Sequence, residues 1–347
     1  MEPKKFTILG ESGSGKTCYL IGMYMAMNND SASIGYTILA QDAQIRRNLT
    51  SNYYKLEDDT RGTGRFPDTT DDVQKFNFNL QYAYETILPF EWIDYPGAFL
   101  DPTKVDTTDS KYKEVEKSIR ESNTIFICID GENLIKGDIN TKIKCVKRKC
   151  AARINPYLGD LKEKLKREGS ALPPICIIVT KYDLCASYVS MDEMRKIIEE
   201  SFKSLFVSND TSVAIVPVSL GNDIADDDYK GELDPVNIHL PILLGIHFAL
   251  KEVIGESEYL MKLKDGDKNS MEREKIDEED SFFLWRNDAR IRILADNIAS
   301  IKKEIEQLRE TADIAKKNKA RLLDKLKAIN MIFNKGRWDN ENRTADL

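Results

Sequence analysis

Gly10-Glu11-Ser12-Gly13-Ser14-Gly15-Lys16-Thr17 (GESGSGKT) is the stretch that decides the fold. It matches G-x-x-x-x-G-K-[ST], and it lies between an apolar strand-like run, FTIL at 6–9, and a helical run, CYLIGMYMAM at 18–27. That strand-to-helix context separates a phosphate loop from a chance glycine turn. Glycines free of a Cβ let consecutive backbone N–H groups turn inward, and the helix that follows adds the positive end of its dipole. The loop therefore predicts a phosphate cradle made by Gly10, Ser12, Gly13, Ser14, Gly15, Lys16, Thr17 and Cys18. Lys16 supplies a full charge to the β- and γ-phosphates, and the Thr17 hydroxyl is a hard oxygen suited to Mg²⁺. Ser12 puts a further hydroxyl near the γ-phosphate position.

Working outward, the next apolar strand ends in Trp92-Ile93-Asp94-Tyr95-Pro96-Gly97. This is D-x-x-G, with Asp94 placed to hold Mg²⁺ and Gly97 to offer an N–H to a γ-phosphate. A third strand, ICIIV, runs into Thr180-Lys181-Tyr182-Asp183. A carboxylate here accepts from guanine N1–H and the 2-amino group, and adenine presents neither donor. Asp183 is thus the expected base reader, with the Lys181 stem over the ring. Ser219 and Leu220, after strand AIVPV, are placed for a backbone N–H to meet guanine O6.

Short apolar runs alternate with helical patterns as far as Val253, which predicts an α/β domain over 1–253 with a doubly wound, mostly parallel sheet. Strands are expected at 5–9, 74–81, 89–93, 124–129, 175–180 and 213–218, the second and third able to pair as an antiparallel hairpin. Helices are expected at 16–27, 111–121, 139–167 with a break at Pro156, 191–206 and 236–253. A long connection over about 28–73 is too long to be an idle loop. Residues 254–282 are charged and read as a linker. Over 283–335, apolar or small residues recur at alternating threes and fours from Ile291 through Leu294, Ile298, Ile305 and Ala312 to Phe333, with Lys319 in one core slot. No Gly or Pro falls between Gly266 and Gly336. That predicts a heptad helix, a rod of roughly 65 Å, either a coiled coil joining copies or partners, or an amphipathic helix folded back on the preceding domain or paired in a hairpin. Residues 336–347 read as a flexible tail.

In order and context these motifs resemble the translation-factor-like superclass of P-loop GTPases, which includes the Ras-like families. Two further stretches, Gly64-Arg65-Phe66-Pro67-Asp68-Thr69-Thr70 and DPVNIHLPILL ending at Leu244, look like the bacterial double-GTPase or GTPase-associated conflict-system group. The resemblance implies GTP and GDP as ligands with Mg²⁺ as cofactor, held by Thr17, Asp94 and a switch threonine. By that resemblance the threonine is Thr70, or failing it Thr69 or Thr63, and Lys16, Thr70, Gly97 and Arg65 form the catalytic set. Arg61 and Arg65 flank the switch threonines as candidate fingers in cis. Two departures stand out. Thr180 replaces the more usual Asn and loses an amide bridge to the P-loop, while Ala98 stands where many Ras-like members carry the water-orienting Gln. From Ala98, intrinsic hydrolysis is expected to be slow or to depend on another residue or a partner.

Composition narrows the class. A chain of 347 residues with 31% charged residues and no 20-residue apolar run is not expected to span a membrane. A formal charge of −7 argues against nucleic acid as the main partner. Six scattered cysteines imply no disulfide framework, and with no secretory signal at the N-terminus a cytoplasmic location is expected. The function expected is a GTP-controlled switch with slow Mg²⁺-dependent hydrolysis, coupled to self-association or a protein partner through the C-terminal helix. The alternatives are a non-hydrolysing nucleotide-binding scaffold or an ATPase.

Overall fold

The computed structural model describes residues 2–29, 35–58, 64–68, 72–100, 110–207, 211–222, 224, 233–280 and 287–338. The chain forms two compact units, 1–248 with 323–347 and 249–322.

In the first unit the strands are β1 (Lys4–Gly10), β2 (Tyr36–Ala40), β3 (Gln74–Tyr82), β4 (Glu85–Asp94), β5 (Thr124–Asp130), β6 (Ile175–Thr180), β7 (Val213–Pro217), β8 (Ile332–Asn334) and β9 (Arg337–Trp338). They make one sheet in the order β2-β3-β4-β1-β5-β6-β7-β8-β9. The five central strands β4, β1, β5, β6 and β7 run parallel, and antiparallel pairs close each edge. Buried on both faces, β6 (ICIIVT) and β7 (VAIVP) have no exposed position, which is why they read as unbroken apolar runs rather than alternating ones. Each such Ile or Val removed from water stabilises the fold by about 1.5–3 kcal/mol before entropy is counted. β3 and β4 do form the expected hairpin, through Ala83 and Tyr84 at φ 49° and 67°. Two successive positive φ values fit the twist of the strands they join.

The helices of this unit are α1 (Lys16–Asn29), α2 (Ala43–Glu57), α3 (Ser110–Arg120), α4 (Ile139–Val146), α5 (Ala152–Arg167), the single turn α6 (Tyr182–Cys185) and α7 (Met191–Ser201). Four expectations change. The long connection over 28–73 contains β2 and α2, with Asp42 capping α2 by accepting from the N–H groups of Gln44 and Ile45. Burial of Tyr36, Ile38, Leu49, Tyr53 and Leu56 makes it part of the core. The break expected at Pro156 comes earlier, in a π-helical turn at Lys147–Ala151, so that Pro156 sits near the start of α5. The pattern over 191–206 stops as a helix at Ser201 and gives way to a 3₁₀ turn at Lys203–Leu205. The residues expected as a rod end and tail instead supply β8 and β9, where Phe333 and Trp338 pack on Phe206 at ring distances of 5.3 and 5.2 Å. Residues 339–347 lie outside the described ones.

The second unit contains most of α8 (Leu240–Glu279) and α9 (Asp288–Leu326). Helix therefore replaces the linker expected over 254–282 as far as Glu279. A Cβ on Gly255 or Gly266 would meet nothing within 4 Å. The two helices pair antiparallel, as the ion pairs Glu258–Lys316, Lys264–Glu304, Glu272–Lys302 and Glu274–Arg290 record. Leu294, Ile298, Ile305, Ala312 and Ala315 are buried. The heptad stripe is thus covered inside the chain's own hairpin, and Asn318 is buried beside the slot expected for Lys319. No helix among the described residues is long and apolar enough to cross a membrane.

Candidate functional site

The P-loop, Asp94 with Gly97, Thr180 to Asp183, and Ser219 with Leu220 follow the carboxyl ends of the parallel strands β1, β4, β6 and β7, where the connections of β1 and its neighbours diverge. The loop after β1 turns at Gly13 and Gly15, with φ 79° and 80°, a region that L side chains avoid. Ser14, fully buried, closes the loop through Ser14 Oγ donating to Glu11 O at 2.8 Å. Lys16 is 6% exposed, and its Nζ donates to the carbonyls of Gly10 and Glu11 at 3.0 Å each, so the ammonium is held over the loop.

Asp94 ends β4 and is 1% exposed. Its Oδ2 accepts from Thr17 Oγ1 at 3.4 Å, and its Oδ1 is buried with no hydrogen-bond partner. Burial pushes its carboxyl up to about 6, against the lowering effects of the Lys16 charge and the Thr17 hydroxyl. A buried, uncompensated carboxylate oxygen beside a hydroxyl is the donor set of a hard divalent cation, so these residues fit Mg²⁺. Gly97 follows in a 3₁₀ turn, Gly97–Leu100. A Cβ there would lie 2.1 Å from Ser12 N and 2.5 Å from the Glu11 carbonyl carbon, so only glycine lets this turn touch the P-loop backbone.

At the other end, β6 delivers Thr180. Its hydroxyl donates to Ser14 O at 2.7 Å, with Ile129 O at 3.2 Å. The bridge to the P-loop expected to be lost without Asn is therefore present, made by a hydroxyl to the backbone. Lys181 adopts the left-handed conformation, φ 50° and ψ 41°, and its Nζ pairs with Asp130 Oδ2 at 2.9 Å and Glu132 Oε1 at 2.7 Å. Asp183 accepts from Ser219 Oγ at 2.8 Å, and that hydroxyl also receives Gly221 N–H at 3.0 Å. Ser219 N–H itself donates to Val236 O at 3.1 Å, so the part of Ser219 in the site is its hydroxyl rather than its amide.

These pieces share one cavity of about 440 Å³. Ser12, Gly13, Gly15, Lys16, Thr17, Cys18 and Gly97 line one end. Thr180, Lys181, Asp183, Ser219 and Leu220 line the other, with an apolar slot of Leu184, Ile224 and Ile238. Gly10 and Ser14 stand behind the loop, and Asp94 behind Thr17. The family model described as Double-GTPase 2 matches residues 6–227, well over half of the chain. The chain belongs to the double-GTPase 2 family. No curated protein matches it. As a double-GTPase 2 domain it is a GTP- and GDP-binding domain of the GTPase kind.

Within this double-GTPase 2 domain, Phe66, Pro67 and Asp68 reach the cavity, while Arg65 beside them is 4% exposed, with its guanidinium 5.8 Å from the Phe66 ring centre. Arg61, Thr63, Thr69 and Thr70 lie outside the described residues. Sequence reasoning missed Asp130, Gly131 and Glu132. Their signal was available in the acidic end of strand TIFICID, immediately before a glycine.

Proposed function

We propose that the chain is a GTP-binding switch that hydrolyses GTP slowly with Mg²⁺ and passes its nucleotide state to a second copy through the helical hairpin. The observation that carries the reading is the convergence in one cavity of a P-loop lysine and a carboxylate locked toward a base slot, with a buried orphan carboxylate oxygen beside the loop. Lys16 binds the β- and γ-phosphates, and the amides of Gly13 to Cys18 orient them. Thr17 and Asp94 would hold Mg²⁺, with Thr70 as the third candidate ligand. When bound, Mg²⁺ would supply charge neutralisation at the phosphates. Asp183, fixed by Ser219, accepts from guanine N1–H and N2–H, which favours GTP over the ATPase alternative. Gly97 N–H would meet the γ-phosphate, and loss of that phosphate would release the turn it begins.

Ala98 offers no group to orient a water, and this favours slow turnover, with Arg65 as a candidate to add charge. The same residue supports a second reading, a scaffold that binds nucleotide without useful hydrolysis. In the hairpin, Glu258–Lys316 and Glu272–Lys302 occupy one edge, and heptad spacing puts Leu260, Leu263 and Ile314 on the other. These three are 41%, 49% and 55% exposed. That edge also carries the ion pairs Lys264–Glu304 and Glu274–Arg290, so a second copy docked there would cover these apolar side chains and meet charges already paired.

The decisive experiment identifies the nucleotide that co-purifies, then compares GTP and ATP turnover with and without Mg²⁺ and in Lys16→Ala. Bound guanine nucleotide and Mg²⁺-dependent GTP turnover abolished in the variant are expected. Equal use of ATP would overturn the guanine assignment, and binding without any turnover would establish the scaffold reading.

A further inference from the structure

The turn that follows β5, Asp130-Gly131-Glu132-Asn133, belongs to none of the motifs that identify the site, yet each of its residues touches one of them. Asp130 and Glu132 each form an ion pair with Lys181 Nζ, at 2.9 and 2.7 Å. Gly131 packs so tightly on the base-reading loop that a Cβ would lie 2.5 Å from Thr180 O and 2.7 Å from Lys181 O. Asn133 is 4% exposed, and its Nδ2 donates to Glu11 Oε1 of the P-loop at 3.1 Å. The other end of that amide is held as well, since Cys145 Sγ donates to Asn133 Oδ1 at 3.5 Å.

Lys181 is the reason such a brace is needed. It sits at φ 50°, a conformation in which an L side chain is strained and which persists only where the surroundings over-determine it. Two carboxylates on its ammonium, one of them only 13% exposed, supply that determination and draw the alkyl stem out across the cavity mouth. A single carboxylate would fix the charge but leave the stem free to swing, whereas two on different residues of one turn fix its direction. The carboxylates also hold the ammonium in its charged form despite burial, which by itself would lower its pKa.

We propose that Asp130 and Glu132 are positioning residues for base recognition, acting through Lys181, and that Gly131 and Asn133 join this clamp to the P-loop so that base and phosphate ends are set by one turn. This rests on the guanine-nucleotide reading above.

The test uses the full chain and two probes, GDP with Mg²⁺ and inorganic tripolyphosphate, titrated calorimetrically. Asp130→Asn with Glu132→Gln is expected to weaken GDP about tenfold, as loss of charge-assisted bonds does, and to leave tripolyphosphate within about twofold. In a Lys181→Met background the same pair of changes should cost nothing further, because the acids have lost the group through which they act. Glu132→Gln alone, at a side chain 54% exposed and so harmless to folding, should weaken GDP by about threefold. Unchanged GDP affinity in the double and single variants, an equal loss for tripolyphosphate, or the same loss in the Lys181→Met background would each overturn the proposal. Wild-type protein that binds tripolyphosphate but no GDP would overturn the guanine reading, and the clamp with it.

Discussion

Replacing Asp94 with Asn should make the metal-free protein more stable while removing its response to Mg²⁺. The carboxyl is 1% exposed, and burial raises it from 3.8 to about 6. That rise corresponds to roughly 3 kcal/mol against the ionised form. An amide still leaves a polar group short of partners, so the net gain expected is about 1–3 kcal/mol. The sign follows from the direction of the shift. Below about pH 4 both folded and unfolded chains carry the proton, and the two proteins should be equally stable. Between pH 4 and about 6 the unfolded chain ionises first, so wild-type stability falls as pH rises. Above about 6 the penalty is complete and the difference reaches a plateau. Thermal melts of both proteins in chelator from pH 4 to 8 measure this, at about 2–4 °C per kcal/mol for a domain of this size. Adding GDP and Mg²⁺ at pH 7.5 should then raise the wild-type midpoint by more than the variant's. A variant no more stable than wild type above pH 6 would refute the reasoning, because it would mean the carboxylate bears no desolvation cost for an ion to relieve.

Three other outcomes are expected. Gly97→Ala must separate the turn from the P-loop by about 1 Å to clear Ser12 N, an overpacking cost of about 1–3 kcal/mol, and should weaken GTP by tenfold or more as read by nucleotide competition; unchanged GTP affinity would show that the two backbones are free to part. Thr180→Val leaves Ser14 O and Ile129 O short of a buried donor and should destabilise by about 1–3 kcal/mol in urea melts, with Thr180→Ser restoring most of it; equal loss in both variants would assign the effect to packing. Leu260→Glu with Leu263→Glu should lower the mass of the GTP-bound protein in sedimentation without altering nucleotide binding; a wild type that sediments as a monomer with every nucleotide would remove the hairpin as the self-association element.

The central fold was legible because its determinants are local. Burial of β5, β6 and β7 on both faces demands continuous β-branched and apolar residues, and each motif sits at a strand end that such a run announces. The P-loop was legible for a sharper reason: only Gly tolerates φ near 80° at positions 13 and 15, so the backbone shape is written in the residue types. The connection over 28–73 was harder. Its strand YTILA is five residues long, and α2 buries only Leu49, Tyr53 and Leu56, a stripe too sparse to stand out from a polar segment. Residues 254–279 misled because Glu- and Lys-rich helix and charged linker have the same composition, and what separates them is a partner helix distant in sequence.

By itself, then, the sequence determined that a P-loop follows the first strand, that Asp94 ends a buried strand before Pro96-Gly97, and that Thr180 to Asp183 follow the strand ICIIV. Those are short-range patterns, carried by backbone geometry and by chemistry that admits few residue types. Tertiary structure decided everything that depends on which distant groups meet: that the Thr180 hydroxyl bridges to Ser14, that Asp130 and Glu132 hold Lys181, that Ser219 gives Asp183 its hydroxyl while its amide goes to Val236, and that the heptad stripe is covered within its own chain. A side chain's hydrogen-bonding capacity is fixed by its identity, but which partner takes it up is settled only when the sheet order brings strands far apart in the chain side by side.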